Sequence, residues 1–217
     1  MIDYKSSFKL PFQDVMKYII GIALSILPII NFFALGYILE TARLSMKTKF
    51  ILPEWKKPGR LFLDGFFATI ITIVYFLPVL IVLFIGNYSF ISTNFLNLLY
   101  ETAGEQLGEQ IFAQLGPLLF TFIFLAIVAA YLLPAAILVF ADTGKFGHAF
   151  NLIRVINISF SKHYFGPWII SIACMILIYV IAISIIPYIG LAIASFTTGI
   201  ITYSILAQAY ANAKHHI

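Results

Sequence analysis

Residues 36–78 read GYILETARLSMKTKFILPEWKKPGRLFLDGFFATIITIVYFLP and contain both parts of the pattern that decides the fold. Six of the thirteen Lys and Arg residues of the chain lie in the first part, and uncharged apolar residues follow Asp64. A basic segment followed by an apolar run long enough to cross a bilayer is typical of membrane helices with a cytoplasmic edge. The same alternation of charged edge and uncharged span recurs along the chain.

The composition places the whole chain in a membrane. Of its 217 residues, 62% are hydrophobic and 10% are charged, and the mean hydropathy is +1.01. Soluble domains carry about 25% charged residues, so this chain has too little polar surface for a water-exposed exterior. We therefore predict a single transmembrane domain over residues 1–217. The one cysteine, Cys174, excludes an internal disulfide and a multi-cysteine metal site.

Four segments are predicted to span the membrane. No Asp, Glu, Lys, Arg or His interrupts residues 65–86 or 115–141. Residues 167–211 form one apolar run of about twice the length of a crossing, and the Pro and Gly of the segment 187–190 divide it into two helices. The predicted spans are 61–86, 115–141, 167–187 and 190–211.

A further apolar segment, residues 18–39, is interrupted by Pro28. As one helix it would be roughly 33 Å long, which is enough to cross once. Two shorter helices that meet near Pro28 would instead form a hairpin, and the basic N-terminal residues favour the hairpin because it keeps both ends on the cytoplasmic side. The predicted fold is therefore an all-α, polytopic transmembrane helical bundle, with four spans plus an N-terminal helical hairpin broken near Pro28, about six helical segments in total.

The connections differ in charge, and this difference predicts the side of the membrane that each one occupies. Residues 40–64 carry six Lys and Arg residues and residues 142–166 carry three, whereas the charged residues within 87–114 are all Glu. Because Lys and Arg are enriched in cytoplasmic loops, we place the two basic connections and the C-terminus in the cytoplasm. The predicted location is the cell membrane, with several crossings.

Four charged residues at the cytoplasmic edge are candidates for a functional cluster. Glu40 and Arg43 are three residues apart, and Arg60 and Asp64 are four apart, so each pair shares one face of a helix. Together the pairs could form a four-charge network between two helices, which is costly to bury unless every charge is paired. The alternative is a structural role, in which Asp64 favours the positive end of its helix dipole.

The loop between these pairs is a candidate surface for lipid headgroups. Pro53 and Pro58 prevent a regular helix, so Trp55 could lie at headgroup depth while Lys56 and Lys57 face lipid phosphates. This loop either binds anionic lipid or an acidic partner, or it anchors the protein in one orientation.

Small residues form a stripe on the last predicted helix, at Gly190, Ala194, Ser195 and Gly199. Such stripes let membrane helices approach closely. The stripe serves either packing within the chain or association with a second copy.

Several of these residues also carry a resemblance to a known family. They are Gly36-Tyr37, Arg43, Leu52-Pro53-Glu54-Trp55, Leu61-Phe62, Asp64-Gly65, Val74-Tyr75 with Pro78, Ala141-Asp142-Thr143-Gly144-Lys145 and Ala149-Phe150. This pattern resembles the DUF4013 family, integral membrane proteins of bacteria and archaea whose function is unknown. In helix layout the chain is more loosely similar to the membrane domain of glycerophosphodiester phosphodiesterases. Neither resemblance implies catalytic residues.

The motif content favours a noncatalytic protein. The sequence contains no HExxH, GxSxG, CxxC, Walker A or GxGxxG pattern, so we expect no enzymatic activity and no cofactor or metal. We expect a membrane scaffold or interaction module with a basic cytoplasmic face. Its expected partners are anionic lipid headgroups, and another membrane protein or a second copy is the further possibility; we expect no nucleic acid. The alternative is a small transporter or channel for a neutral or lipidic solute, with Asn31 or Tyr75 on its pathway.

Overall fold

The computed structural model describes the backbone of residues 2–99 and 106–214 and the side chains of residues 2–86, 88 and 116–214. Every regular element in these residues is helical. The α-helices are α1 (Tyr4–Lys9), α2 (Val15–Ser25), α3 (Asn31–Met46), α4 (Pro58–Leu99), α5 (Gln106–Thr143), α6 (Leu152–Ser159), α7 (Phe165–Ile185) and α8 (Pro187–Lys214), and short 3-10 helices occupy Leu10–Phe12 and Phe146–Phe150.

Within the described residues, four helical segments are long and apolar enough to cross a membrane. Their bounds are Pro58–Gly86, Gly116–Thr143, Phe165–Ile185 and Pro187–Lys214. Each coincides with one predicted span to within a few residues. The prediction of an all-α fold with four long apolar helices is therefore confirmed.

The number of helices differs from the prediction, because the described residues contain eight α-helices rather than about six. The two additional helices are short: α1 precedes the first apolar segment, and α6 lies in the basic connection 142–166. Each begins at a polar cap: the Asp3 carboxylate accepts a hydrogen bond from the Ser6 backbone N–H, and the Asn151 side chain accepts one from Arg154. Such caps satisfy backbone donors that the first turn leaves free.

The chain is helical on both sides of Pro28 but not through it. Helix α2 ends at Ser25 and α3 begins at Asn31, so two short helices occupy the region where the sequence predicted a break. Proline removes a backbone donor and its ring clashes with the preceding turn, which explains the position of the break. Helix α3 continues to Met46, beyond the predicted end of the apolar segment at residue 39.

The helices form two compact units, Met1–Ile71 with Leu132–Ile217 and Thr72–Tyr131. In the first unit α8 is the central element, because it contacts α1, α2, α3, α6 and α7. Its Phe196 and Ile200 side chains lie in one buried cluster with Leu10, Tyr37 and Ile38. The core of this unit is thus built around the last helix of the described chain.

A buried polar network attaches the N-terminal helix to this core. The Ser204 hydroxyl lies 3.0 Å from the hydroxyls of both Ser7 and Ser45. The Gln208 side chain donates to Ser7 at 2.9 Å and accepts from the Asp3 backbone N–H at 2.7 Å. Because lipid offers no hydrogen-bonding partners, polar groups in a membrane core must pair with one another. The network therefore fixes α1 against α3 and α8.

Two glycines allow α3 and α4 to touch backbone to backbone. A Cβ atom at Gly36 would collide with the carbonyl oxygen of Leu61, and one at Gly65 would collide with the carbonyl oxygen of Phe32. By contrast, a Cβ atom at Gly59, also on α4, would have no heavy atom within 4 Å. The crossing of these helices depends on small residues, as is common in membrane proteins.

The second unit consists of the C-terminal part of α4 and the N-terminal part of α5. A Cβ atom added at Gly86 of α4 would lie 3.9 Å from the Leu118 side chain of α5. The acidic connection predicted on the outer side includes residues 100–105, which lie outside the described residues.

We predict that Gly65→Ala destabilises the protein by about 1–3 kcal/mol, the usual cost of overpacking, because the α3 backbone cannot move away easily. The measurement is the midpoint of thermal unfolding in a neutral detergent. Gly59→Ala is the matched control on the same helix and should leave the midpoint unchanged or slightly raised. Equal destabilisation by both variants would contradict the tight crossing.

Candidate functional site

Arg43, on the last turn of α3, is the centre of the first charged cluster. Its Nη1 atom lies 2.9 Å from Glu40 Oε2 and 2.5 Å from Asp64 Oδ2, and its Nε donates to the backbone carbonyl of Ala141 at 2.9 Å. The side chains of Arg43 and Asp64 are each only 13% exposed. One guanidinium thus connects α3, α4 and α5 where little water can replace its partners.

Arg60 completes the cluster from the first turn of α4. Its guanidinium lies 3.4 Å from Glu40 Oε2 and 3.7 Å from Asp64 Oδ2, and its side chain is 53% exposed. The structure therefore brings all four predicted residues together. Two cations face two carboxylates, and Arg60 is the more loosely held cation.

The balance of burial and pairing keeps Arg43 charged. Burial lowers the pKa of its guanidinium, but the hydrogen bonds and charges of Asp64 and Glu40 outweigh burial and leave the pKa raised. A permanently charged, fork-shaped donor suits this position, because it binds two carboxylates and a carbonyl at once.

A second charged cluster surrounds Asp142 at the end of α5. Its Oδ2 atom accepts hydrogen bonds from Lys214 at 2.7 Å, from the Tyr210 hydroxyl at 2.9 Å and from Arg154 at 3.4 Å. Arg154 also donates to the Tyr210 hydroxyl at 3.0 Å. The sequence reasoning missed this cluster because the partners of Asp142 lie 12 to 72 residues away from it in the chain.

A cleft lies between the two clusters. It has a volume of about 430 Å³ and is lined by residues of α3, α4, α5 and α8. Four cations contribute to its walls, whereas Asp142 is the one carboxylate among the lining residues. The cations are Arg43, Lys47, Arg60 and Lys214. This arrangement favours an anionic ligand.

The loop before α4 is held against the protein by Trp55. The ring of this residue, which the sequence predicts at headgroup depth, stacks on Tyr37 at a centroid distance of 4.0 Å and packs against the buried core. The Tyr37 hydroxyl donates to the Pro53 carbonyl at 2.9 Å and fixes the same loop. Lys56 and Lys57 are exposed, so the loop's cationic side is free for an external partner.

An ion pair joins this loop to α2. Lys17 Nζ lies 2.8 Å from Glu54 Oε1 and 3.5 Å from Asp14 Oδ2. The hydrogen bond and charge of Lys17 lower the pKa of the Glu54 carboxyl below its ordinary 4.5. Glu54 raises the pKa of Lys17 in turn, first through their hydrogen bond. Lys17 and Glu54 therefore hold the loop against α2.

The small-residue stripe of α8 is used mainly within the chain. A Cβ atom at Gly190 would collide with the carbonyl of Ala182 on α7, and one at Gly199 would lie 2.5 Å from the Ile38 side chain on α3. Ala194 is fully buried, whereas Ser195 is partly exposed and donates to the Ala192 carbonyl at 3.0 Å. The packing interpretation accounts for three of the four stripe positions.

A second cavity, of about 490 Å³, is apolar. It lies between the N-terminal residues Phe8, Phe12 and Tyr18 and the facing sides of α7 and α8. Within it the Tyr18 hydroxyl pairs with the Thr197 hydroxyl at 2.7 Å. This cavity suits hydrocarbon rather than a charged solute.

No group of three or more His, Cys, Asp or Glu side chains in the described part of the chain could hold a metal ion.

Comparison with known proteins identifies the family. The family model "Protein of unknown function (DUF4013)" matches residues 19–187, well over half of the 217-residue chain. The chain therefore belongs to the DUF4013 family. Searches of curated proteins and of solved structures found no match.

We predict that Arg43→Gln lowers the free energy of unfolding by about 3 kcal/mol, because it leaves two carboxylates without their buried partner. Denaturant unfolding of the detergent-solubilised protein measures the change. Arg60→Gln, in the same cluster but half exposed, should cost only about 0–1 kcal/mol. Asp64→Asn combined with Arg43→Gln should recover part of the loss, and a fully additive double variant would contradict the coupling.

We also predict a pH-dependent loosening of the loop at Trp55. Because the folded-state pKa of Glu54 is below 4.5, its contact with Lys17 stabilises the loop above pH 4.5 and is lost as the pH falls through the lowered value. In a Trp168→Phe background, Trp55 fluorescence should shift to longer wavelength over this range.

Adding Glu54→Gln to that background should remove the acid transition, because the titrating carboxyl is gone. An identical transition in the Gln variant would show that another group controls the loop.

Proposed function

We propose that this DUF4013 protein is a noncatalytic, multi-pass membrane module whose basic cytoplasmic face associates with anionic lipid headgroups. The observation that carries the proposal is the convergence of cationic side chains at one end of the first compact unit. At this end Lys56 and Lys57 are exposed on the loop that Trp55 anchors, and the cleft contains further cations.

The contacts at this end support the predicted orientation. Arg43, near the first basic connection, bonds the Ala141 carbonyl at the start of the other basic connection. Asp142 pairs with Lys214 near the C-terminus. The two basic connections and the end of α8 therefore share one end, and the enrichment of Lys and Arg favours the cytoplasm for it.

Electrostatic attraction sets the expected strength of lipid binding. Each Lys or Arg near the anionic cytoplasmic leaflet contributes about 1 kcal/mol, and the attraction falls off within a Debye length. Lys56 and Lys57 are exposed, so headgroups can approach them without displacing a protein partner. Tyr37 and Lys17 already hold the loop in place, so lipid binding does not require the free energy of ordering it.

The apolar cavity supports a second candidate, movement of a lipidic solute past α7 and α8. Flux of a lipid analogue across proteoliposomes that is lost on filling the cavity, for example with Ala182→Phe, would favour this candidate over a static interaction module.

We predict that the purified chain enriches phosphatidylglycerol when it is equilibrated in mixed micelles with equal amounts of phosphatidylglycerol and phosphatidylcholine. Mass spectrometry of the co-purified lipid measures the ratio. Lys56→Gln with Lys57→Gln should bring the ratio most of the way to the input value, because about 2 kcal/mol of attraction is removed.

The control is Lys56→Arg with Lys57→Arg, which keeps both charges and should keep the enrichment. If the neutral and the charged pairs bound the same lipid ratio as the wild type, the basic loop would not be the lipid-binding surface. Equal thermal midpoints among the variants exclude unfolding as the cause.

A further inference from the structure

We propose that the cleft between the Arg43 and Asp142 clusters is a discrete binding site for a single phosphate group. The proposal rests on the proposed function, since that function places the cleft at a surface rich in lipid phosphates, and it adds a defined site and ligand class. The ligand is a phosphate-bearing molecule, either a phospholipid headgroup or a free phosphate compound.

The cleft contains hydrogen-bond donors that are held in place but are not fully occupied by acceptors of the protein. Arg43 uses Nε and Nη1 for Ala141, Glu40 and Asp64, so the direction of its guanidinium is fixed while Nη2 bonds nothing in the described residues. Lys47 is exposed and forms no ion pair within the described part of the chain. A guanidinium held in place loses little conformational entropy when it binds a ligand.

Arg60 and Lys214 supply partly exposed donors on two walls of the cleft. Both are about half exposed, and the ion pairs of Arg60 are long, at 3.4 and 3.7 Å. Lys214 can turn from Asp142 to a ligand, because Tyr210 and Arg154 continue to hold that carboxylate. Binding therefore need not leave a buried charge without a partner.

The charge around the cleft suits a dianion. Five cations face three carboxylates when both clusters and Lys47 are taken together. The excess of two positive charges matches a phosphate monoester near neutral pH, whose tetrahedral oxygens can accept bonds from several directions at once. Arg and Lys are the usual protein donors to such groups.

The size of the cleft leaves room for more than the phosphate. Its volume of about 430 Å³ falls in the range of about 300–1,000 Å³ typical of small-molecule sites. Donors reach it from α3, α4 and α8, so the site depends on the folded arrangement of these helices. The site differs in this respect from Lys56 and Lys57, which lie on an exposed loop and attract anions there.

Isothermal titration calorimetry of the full chain in an uncharged detergent tests the proposal with two probes. Inorganic phosphate represents the free compound, and dihexanoyl phosphatidic acid below its micellar concentration represents the lipid headgroup. We expect saturable binding of at least one probe. Lys47→Gln with Arg60→Gln should weaken it about tenfold or more, since two charge-assisted hydrogen bonds are lost.

The matched control is Lys49→Gln with Lys162→Gln, which removes two exposed cations that do not line the cleft. It should change the dissociation constant less than about twofold, as expected for a screened long-range effect. If the double cleft variant melts at a lower temperature, Lys47→Gln alone repeats the test at a residue without an ion pair.

Each outcome has a defined meaning. Cleft-dependent binding of phosphatidic acid alone assigns the site to a lipid headgroup, and cleft-dependent binding of inorganic phosphate assigns it to free phosphate as well. No saturable binding of either probe, or equal weakening by cleft and control variants, would overturn the site. Phosphatidylglycerol enrichment that depends on Lys56 and Lys57 would still stand in that case, so the two proposals fail separately.

Discussion

The paired guanidinium of Arg43 is the constraint on which the charged end of the first unit depends. It bonds Glu40 on its own helix, Asp64 on α4 and the backbone of α5. A charge with so little access to water is stable only when its partners are in place, so the three helix ends must meet in one arrangement. The cleft is formed by that arrangement, since its walls are these same helix ends together with the end of α8.

The interior of the first unit is less apolar than its exterior, as expected for a protein surrounded by hydrocarbon. In an 18-residue window of α8, 61% of the residues are buried, whereas in one of α7 only 6% are, and the α8 window is the less apolar of the two. The buried side chains of Ser204 and Gln208 on α8 both pair with the Ser7 hydroxyl of α1, and Gln208 also donates to the Ser204 backbone carbonyl. Packing through small residues and hydrogen bonds replaces the hydrophobic effect, because lipid is as apolar as the protein core.

The sequence predicted the parts of the structure that depend on local pattern. The four apolar runs predicted the long helices, and Pro28 predicted the break between α2 and α3. The spacing of Glu40 with Arg43 predicted one helical charge pair, and that of Arg60 with Asp64 predicted another. For the two pairs to meet, the end of α3 and the start of α4 only had to be neighbours. A functional role for the cluster stays a prediction.

Contacts between distant residues could not be predicted in the same way. Nothing near Asp142 in the sequence indicates Tyr210 or Lys214, and Ser7 has no local feature that points to Ser204. Trp55 illustrates a different difficulty, since tryptophan serves equally well at a headgroup boundary or against another ring. Trp55 stacks on Tyr37, and the location of Tyr37 follows only from the packing of α3.

Only Pro167 and Ser171 of α7 are buried, and this sets a relation between the protein and the bilayer that holds it. With 21 residues the helix is roughly 32 Å long, close to the hydrocarbon thickness of an ordinary membrane. Helix α8 packs against it, and Gly190 draws the start of α8 tightly against Ala182. Helices α7 and α8 must therefore tilt together in a thinner bilayer. A mismatch between the length of α7 and the thickness of the bilayer would thus be transmitted directly to α8, the helix that organises the core.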